Sequence, residues 1–393
     1  MAARPTVWVL LGKGTGGNAQ MISLAEALAW PYETKHLVYS RYSQCPNLLL
    51  GASALGIDRR RSAALAPPWP DLVIAGSRRS APVARWIKRQ SGGRARLVHL
   101  MHTQAPLEHF DLIITTPQYR LPARANVLHN AAPLTNLDPA RIAAAKAQWT
   151  GRFAHLPRPY TALLVGGNSS AYVLDASTAE RLGRTTSARV QRSGGALLVT
   201  TSARTPADAC AALRAAIDCP AFVHRWRQND AENPYLALLG LADRFLVTAD
   251  SASLLADACS TGRPVEVFDW PLRADARTGL KGLVRRWGEA RDRQTAPDAA
   301  TRLYDRLVDL GLIKPARDFA AYHRALEARG LLSSLDAASA PPRQPLDDMQ
   351  RAVDRIGQLF PDLRASADRH DQHRPIVPPP QMPQPLDRLR VPG

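Results

Sequence analysis

The feature that most constrains the fold of this chain is the alternation of short apolar runs with amphipathic segments. The apolar runs predict β-strands at Thr6–Leu11, Lys35–Tyr39, Asp71–Ala75, Arg96–Met101, Leu112–Thr115, Thr161–Val165, Ala196–Thr200, Ala221–His224, Phe245–Thr248 and Val265–Phe268. The segments between them predict helices at Ala19–Ala29, Ser80–Arg89, Ala207–Ala216, Tyr235–Ala242 and Ser253–Ser260. Strands separated by helices pair in parallel, and the helices cover both faces of the sheet. The alternation therefore predicts an α/β protein built from doubly wound, Rossmann-like sheets.

Two glycine turns and a change in composition divide the chain. Its 393 residues exceed what one hydrophobic core usually organises. A turn at Gly12–Gly17 opens one series of strands and helices, and a turn at Gly166–Gly167 opens another. We therefore predict Rossmann-like domains at 1–150 and 151–335, with a ligand cleft between them at the carboxyl ends of the strands. The proline-rich residues 336–393 are expected to form a mostly disordered tail with a helical island near Asp347–Leu359.

The net charge of +17 favours acidic partners such as phosphorylated substrates or an anionic membrane surface. A solvated, arginine-rich surface explains the same charge, so both interpretations stay open. The sequence contains neither a zinc-finger pattern nor aromatic RNA-binding strands, which argues against nucleic acid as a partner.

The cysteines are scattered without a Cys-x-x-Cys pair, so neither a zinc site nor a disulfide framework is indicated. No other metal-binding motif occurs, and no resident metal or cofactor is expected. The longest apolar runs, such as Val7–Leu11, are far shorter than the ~20 residues of a membrane-spanning helix. The N-terminus has the pattern of a strand and a turn rather than a signal peptide. We therefore expect a cytoplasmic protein, with peripheral membrane contact left open.

The stretch Asn233–Phe268 carries the strongest functional signal. A buried strand breaks into Asp250 and Ser251, and a helix then begins near Ser253. Small hydroxyl residues at a helix N-terminus leave N–H groups free for a phosphate. Asp257 shares a helix face with Ser253, so its carboxylate is placed to bind the sugar hydroxyls of a nucleotide. The alternative interpretation is that Asp250 and Ser251 merely cap the helix.

The loop after the first strand provides further candidate substrate-binding residues, namely Gly12, Gly14, Gly16, Gly17, Asn18 and Gln20. Its glycines match G-x-G-x-x-G between a strand and a helix. The acid that would bind an NAD ribose is missing, although Arg41 lies where a 2′-phosphate would bind, which leaves an NADP enzyme open. We interpret the glycines as allowing close approach of backbone N–H groups to a substrate; a tight structural turn is the alternative.

Other candidates follow neighbouring strands. Gly166, Gly167, Asn168 and Ser169 are expected to offer backbone and side-chain donors, and Arg204 suits an anionic group. Asn233 is a further candidate for substrate binding, or it caps the following helix. His102 is the candidate catalytic base for an acceptor hydroxyl, with a structural histidine as the alternative.

The sequence resembles the mitochondrial-fission "elongated mitochondria" family and its bacterial relatives. The resemblance is carried by Leu10–Leu28, Trp69–Lys88, Leu164–Ser170, Leu197–Pro206 and Asn233–Phe268, in this order along residues 5–320. It implies two domains arranged as in GT-B glycosyltransferases, whose second domain holds a nucleotide diphosphate. By position, Ser251 and Ser253 would bind phosphate and Asp257 the ribose, although the family usually has Glu at this last position. Plant members are adaptors that bring a dynamin-related protein to mitochondria; the arginine and alanine bias here favours a bacterial origin.

These observations lead to three hypotheses. The first is a GT-B-like glycosyltransferase that takes a nucleotide sugar as substrate, with the acceptor bound near Gly12–Gln20 and His102. The second is a non-catalytic adaptor that recruits a partner protein to a membrane surface. The third, ranked last, is an NADP-dependent oxidoreductase or epimerase. Enzyme activity is therefore left open.

Overall fold

The computed structural model describes residues 4–135, 137–169, 171–270, 272, 279–292, 298–315, 317–335 and 346–361. Its strands are β1 Val7–Leu11, β2 Tyr32–His36, β3 Leu72–Ala75, β4 Arg96–Leu100, β5 Leu112–Thr115, β6 Val127–His129, β7 Tyr160–Leu164, β8 Ala196–Thr200, β9 Ala221–His224, β10 Arg244–Thr248, β11 Val265–Phe268 and β12 Ser333–Ser334. Its α-helices are α1 Thr15–Leu28, α2 Asn47–Leu50, α3 Ala81–Gln90, α4 Pro139–Phe153, α5 Ala176–Ser193, α6 Ala207–Ala215, α7 Tyr235–Leu241, α8 Ala252–Ser260, α9 Gly279–Asp292, α10 Ala299–Asp309, α11 Phe319–Ala328 and α12 Asp348–Gly357. Short 3-10 helices lie at Arg41–Gln44, Leu107–His109 and Pro117–Tyr119.

The strands form two six-stranded sheets, and every strand pair is parallel. The first sheet has the order β2-β1-β3-β4-β5-β6, and the second has the order β12-β11-β10-β7-β8-β9. When β7 is counted as strand 1, the second sheet has the strand order 3-2-1-4-5-6, which is that of a Rossmann dinucleotide-binding sheet. In each sheet the direction of winding reverses at one point, between β1 and β3 in the first sheet and between β7 and β10 in the second. Open parallel sheets bind ligands outside the carboxyl ends of the strands at such a switch point.

Each sheet is covered by helices because its strands are apolar on both faces. In the first sheet, Val73 faces a core shared with α3 and α10, whereas Ile74 faces a core shared with α1 and α12. The second sheet is enclosed by a single large core to which α4, α5, α7, α8 and α11 contribute. The prediction of two doubly wound α/β sheets is therefore confirmed.

The last helices do not all lie on the sheet that precedes them in sequence. Tyr304 and Val308 of α10 and Ile356 of α12 are buried in the cores of the first sheet. The helical island predicted near Asp347–Leu359 is α12; the rest of the predicted tail lies outside the described residues. The boundary expected at residue 150 falls inside α4, whose Phe153 is buried in the second core, so the division into domains stays a prediction.

Several elements differ from the sequence-based expectation. The second strand is Tyr32–His36 rather than Lys35–Tyr39, since an edge strand needs few apolar residues and pairs with β1 on one side only. Sequence patterns did not predict the short strands β6 and β12, each of three residues or fewer, and they did not predict the helices α2, α4, α5, α9, α10 and α11. The alanine-rich α4 has few large apolar residues, which explains why it was missed, whereas α10 buries Tyr304 and Val308 on one face and shows a periodicity that the sequence-based prediction overlooked. Among the described helices, none has the length and apolar composition needed to cross a bilayer.

Candidate functional site

The switch point of the second sheet is organised by Asp250, which follows β10 and is 3% exposed. Its carboxylate accepts hydrogen bonds from the Gly167 N–H at 2.9 Å and from the Thr248 hydroxyl at 2.8 Å. It also pairs with the Arg204 guanidinium at 2.8 Å. Burial raises the pKa of Asp250, and the Arg204 charge and these donors act in the opposite direction. Asp250 therefore joins three loops, and its direct contact with substrate stays a prediction.

The loop after β7 is locked to its neighbours through its backbone. The Gly166 N–H donates to the Thr248 hydroxyl at 2.7 Å, and the Asn168 N–H donates to the Arg204 carbonyl at 3.0 Å. Gly167 has a φ of +149°, and a methyl group there would clash with the Arg204 carbonyl, so this position requires glycine. These N–H groups are engaged within the protein, and the loop does not supply the free backbone donors that the sequence led us to expect.

Side chains of the same loop are also used internally. The Asn168 amide oxygen accepts from the Leu174 N–H at 2.9 Å, and the Ser169 hydroxyl accepts from the Tyr172 N–H at 3.1 Å. Arg204 differs, because its side chain is 40% exposed while it donates to the Asn168 carbonyl at 3.0 Å. It places a cation at the solvent-facing edge of this switch point.

The N-terminus of α8 is uncapped. Ser251 is the N-cap residue but its side chain makes no capping hydrogen bond, and the first turn holds no acidic residue. The N–H groups of Ala252, Ser253 and Leu254 find no acceptor among the described residues. Helices α4, α5, α10 and α11 are each capped by an aspartate side chain, whereas α3, α6, α7 and α12 lack a side-chain cap, as α8 does. The partial positive charge at the start of α8 is thus uncompensated within the described part of the protein.

The N-terminus of α1 has the same character and lies opposite α8. Its N-cap is Gly14, the first turn holds no acidic residue, and the N–H groups of residues 15–17 have no acceptor among the residues described. A methyl group placed on Gly16 would lie 3.6 Å from the Ser253 hydroxyl oxygen, whereas one on Gly14 would meet nothing within 4 Å. The first turns of α1 and α8, which follow the switch points of the two sheets, therefore lie close together.

The remaining predicted residues of the first loop shape this turn. The Asn18 side chain forms two hydrogen bonds with Gly12, accepting from its N–H at 3.1 Å and donating to its carbonyl at 2.8 Å. The Gln20 amide donates to the Gly16 carbonyl at 3.3 Å. A methyl group on Gly17 would lie 3.2 Å from the Met101 methyl group. Substrate contacts by these residues stay predictions, and the observed role of Asn18 is to hold the turn.

Asp257 lies one turn into α8, on the same helix face as Ser253. Its two carboxylate oxygens accept from the Thr135 hydroxyl at 2.6 Å and from the Tyr235 hydroxyl at 2.5 Å. Burial raises the pKa of Asp257, and the two hydroxyl donors lower it. Asp257 thus ties the segment between the sheets to α7, while its predicted ribose contact stays untested. Asn233 is exposed and accepts from the Tyr235 N–H at 3.0 Å, which is a turn at the start of α7.

His102 follows β4 at the carboxyl edge of the first sheet and is 6% exposed. Burial, followed by the charges of His99 and Lys314, lowers the pKa of His102 to about 3, so its ring is neutral at physiological pH. Its Nδ1 accepts from the Gln104 N–H at 2.8 Å, which puts the ring proton on Nε2. Nε2 has no partner among the described residues. In this conformation the ring donates at Nε2, so a role as base requires the bond to Gln104 to break.

Sequence reasoning missed the partners that position these groups. Thr135 carried no signal, because it meets Asp257 across 122 residues of sequence. Thr248 was recognised only as the end of a strand, although a hydroxyl at the carboxyl end of a strand beside a switch point is a usable signal. Among the described residues, no group of His, Cys, Asp or Glu is placed to hold a metal ion.

Two doubly wound parallel sheets whose switch points face each other define a protein with a GT-B-like fold. The chain belongs to the family described as Mitochondrial fission ELM1, whose family model matches residues 15–286.

Similar proteins come from plants and bacteria. The "Mitochondrial fission protein ELM1" of Arabidopsis thaliana is 28% identical over 280 residues, covering 62% of this chain and 65% of that protein. The chain thus matches slightly less than two thirds of its plant relative. The "Uncharacterized protein RP120" of Rickettsia prowazekii is 23% identical over 295 residues, covering 67% of this chain and 82% of that protein. Among solved structures, the UDP-GlcNAc 2-epimerase from Neisseria meningitidis bound to UDP-GlcNAc is 11% identical, covers 82% of this chain and 99% of its own, and has a TM-score of 0.42.

Proposed function

We propose that this protein binds a nucleotide sugar between its two sheets and acts as a glycosyltransferase-like enzyme. The observation that carries the proposal is the meeting of two uncapped helix N-termini, α1 and α8, at adjoining switch points. Each end presents free N–H groups and a positive partial charge, which together suit a diphosphate better than a single helix end does.

The donor diphosphate would lie along the N-terminus of α8, in contact with the N–H groups near Ser253. Arg204 would lie at the edge of the phosphate site, held in place by Asp250. Charge accumulates on the diphosphate as the bond to the sugar breaks, and fixed donors stabilise that charge without reorganising. In this arrangement Asp250 keeps the guanidinium oriented rather than touching substrate, since a buried carboxylate next to phosphate would repel it.

The nucleoside would extend along α8 towards Asp257, where the ribose hydroxyls could exchange with the hydroxyls of Thr135 and Tyr235. An acceptor would bind on the side of the first sheet, near the loop that begins at Gly12. His102 would donate a hydrogen bond from Nε2 to the acceptor, and it becomes a base only when the Gln104 contact is released. The basic charge of the chain suits an acceptor held at an anionic membrane surface.

A thermal-shift screen against UDP, GDP, nucleotide sugars, NADPH and inorganic pyrophosphate tests the proposal. A ligand present at about 100 times its dissociation constant should stabilise the protein by about 2.7 kcal/mol. Asp257→Asn retains the shape of the side chain and is expected to weaken nucleotide binding at least about tenfold, worth about 1.4 kcal/mol. Pyrophosphate binding should stay unchanged, because it uses only the helix N-termini.

Asp208→Asn is the matched control, since this exposed carboxylate lies in the first turn of α6. Absence of stabilisation by every nucleoside diphosphate and nucleotide sugar would refute the proposal. Stabilisation by NADPH alone would instead favour an oxidoreductase.

A second candidate is a non-catalytic adaptor that recruits a partner protein to a membrane surface. It is favoured by membership of a family named for mitochondrial fission and by the internal use of the loop donors at Gly166–Ser169. An adaptor would keep its function when Ser253 or Asp257 is substituted. Hydrolysis of a nucleotide sugar by the purified protein, lost on the same substitutions, would exclude it.

A further inference from the structure

The segment Arg41–Arg61 exposes an unusual set of apolar side chains. Leu49, Leu55 and Leu48 are 78%, 64% and 58% exposed, which makes them the most exposed large apolar side chains among the described residues. Tyr42, in the same segment, is 48% exposed. Single exposed leucines are normal on a protein surface, but a group within one short segment indicates an interaction site.

The leucines point outwards because the other face of α2 is anchored. Asn47 is 2% exposed, and its amide donates to the carbonyls of Arg78 at 2.8 Å and Thr103 at 2.9 Å. Leu50, three residues on and therefore on the same helix face, is also buried. Arg78 in turn donates to the carbonyls of Ser43 at 2.5 Å and Cys45 at 2.9 Å. Leu48 and Leu49 consequently project from a fixed platform.

The segment that carries these leucines also carries exposed cations. Arg41, Arg59, Arg60 and Arg61 are all exposed, and none pairs with a carboxylate within the described part of the chain. The sole acid between residues 37 and 70 is Asp58, whose carboxylate accepts from the Arg60 N–H at 3.1 Å and the Arg61 N–H at 3.3 Å. It is thus used to close the local turn, and the segment keeps an excess of positive charge.

We propose that this arginine–leucine surface, Arg41–Arg61, docks the protein on an anionic lipid bilayer. Arginines would bind lipid phosphates while the leucines enter the boundary between headgroups and acyl chains, about 5–10 Å deep. The proline-rich end of the chain is not the complementary partner, because residues 362–393 carry five arginines against four aspartates. The proposal does not depend on nucleotide binding.

Docking would also orient the proposed acceptor side. Thr103, whose carbonyl holds Asn47, directly follows His102 at the carboxyl edge of the first sheet. The membrane-facing surface is therefore attached to the loop that carries His102, and an acceptor embedded in the bilayer would lie close to it.

Sedimentation with vesicles tests the docking surface on the full-length protein. Wild type should bind vesicles of equimolar phosphatidylcholine and phosphatidylglycerol much more tightly than vesicles of phosphatidylcholine alone, and added salt should weaken the binding. A triple variant with Arg59→Gln, Arg60→Gln and Arg61→Gln should bind anionic vesicles about a hundredfold more weakly than wild type, because each arginine near the membrane surface contributes about fivefold. Leu48→Ser combined with Leu49→Ser should reduce it at least about tenfold.

Matched controls remove the same charge and apolar area elsewhere. The control for the arginines is a triple variant with Arg184→Gln, Arg192→Gln and Arg214→Gln, which removes exposed arginines of α5 and α6. The control for the leucines is a double variant with Leu303→Ser and Leu312→Ser, which removes exposed leucines in and near α10. These controls should bind vesicles within about twofold of wild type, since charge beyond a Debye length of about 8 Å is screened.

A fluorophore on Leu49→Cys gives an independent measurement, with a blue shift expected only on anionic vesicles. Equal losses in the control variants, or no binding of wild type to anionic vesicles, would overturn the proposal. Leucine-dependent capture of a protein partner without vesicle binding would assign the surface to that protein and would equally overturn it.

Discussion

A carboxylate introduced at Gly16 should weaken ligand binding while it stabilises the folded protein. Gly16 lies in the first turn of α1, and a methyl group there would sit 3.6 Å from the Ser253 hydroxyl, so a short side chain fits. Gly16→Asp should stabilise the folded protein by about 0.5–1 kcal/mol, because aspartate costs less than glycine in a helix and its charge complements the helix dipole. The same charge would enter the space proposed for the donor diphosphate.

The expected loss of affinity follows from Coulomb's law. The new carboxylate would lie about 5 Å from a phosphate beside Ser253, which gives a repulsion of about 1 kcal/mol in bulk water and about 3 kcal/mol at an effective dielectric constant of about 20. Nucleotide affinity should therefore fall about five- to 150-fold. Calorimetric titration with the nucleotide found in the screen measures the affinity, and thermal unfolding measures the stability.

Two neutral variants at Gly16 isolate the effect of the charge on nucleotide affinity. Gly16→Asn has nearly the same shape as Gly16→Asp without the charge, and Gly16→Ala raises helix propensity alone. Both should keep affinity within about threefold of wild type, a difference of less than about 0.7 kcal/mol. If Gly16→Asp binds the nucleotide as tightly as Gly16→Asn does, the diphosphate does not lie between the two helix ends, and the reasoning is refuted.

Three further predictions concern stability. Arg120→Met should destabilise the fold by about 3–5 kcal/mol in denaturant unfolding, because it removes the nearest cation from the buried Asp318, which keeps only Arg324 at 3.8 Å and Arg285 at 4.0 Å; adding Asp318→Asn, which can still cap α11, should cost less than the sum of the two single variants, and additive losses would contradict this account. Gly167→Ala should cost at least about 1–3 kcal/mol because of its positive φ and the adjacent carbonyl, and a wild-type melting temperature would show that the loops can separate. Burial lowers the pKa of His99 to about 4 and that of His102 to about 3, below the ordinary value of about 6.5, so the unfolded chain binds more protons between these values. The contribution of these two neutral histidines to the free energy of unfolding should therefore be fully present above pH 6.5 and should be lost progressively as the pH falls towards 4. His99→Gln should make this loss shallower, and an unchanged slope would show that His99 does not cause it.

The sequence predicted the local structure around the site well. Apolar periodicity placed the strands that end at Leu11, Leu164 and Thr248 to within one residue. Glycine and serine signals placed the starts of α1 and α8 near their observed positions, within about four residues for α1. Such features depend on a few neighbouring residues, which is why a single sequence reveals them.

The roles of individual side chains could not be read in the same way. The sequence predicts substrate binding or a helix cap for Asp250, but it does not show that the carboxylate accepts a hydrogen bond from Gly167. It predicts substrate binding for Asn18, but it does not show that this side chain holds the backbone of Gly12. Asp257 is bonded to Thr135, which is 122 residues away in sequence. Each of these contacts joins loops that follow different strands, so it exists only once the sheet order is set.

Local sequence patterns therefore predict that this chain forms parallel, doubly wound sheets with glycine turns at their carboxyl edges, because the period of apolar residues and the backbone freedom of glycine act over a few neighbouring residues. The proximity of Gly16 to Ser253 and the packing of α10 and α12 on the first sheet become visible only in the folded chain. Those contacts are selected by the fit of whole helices and sheets against one another, and no short window of sequence contains that information.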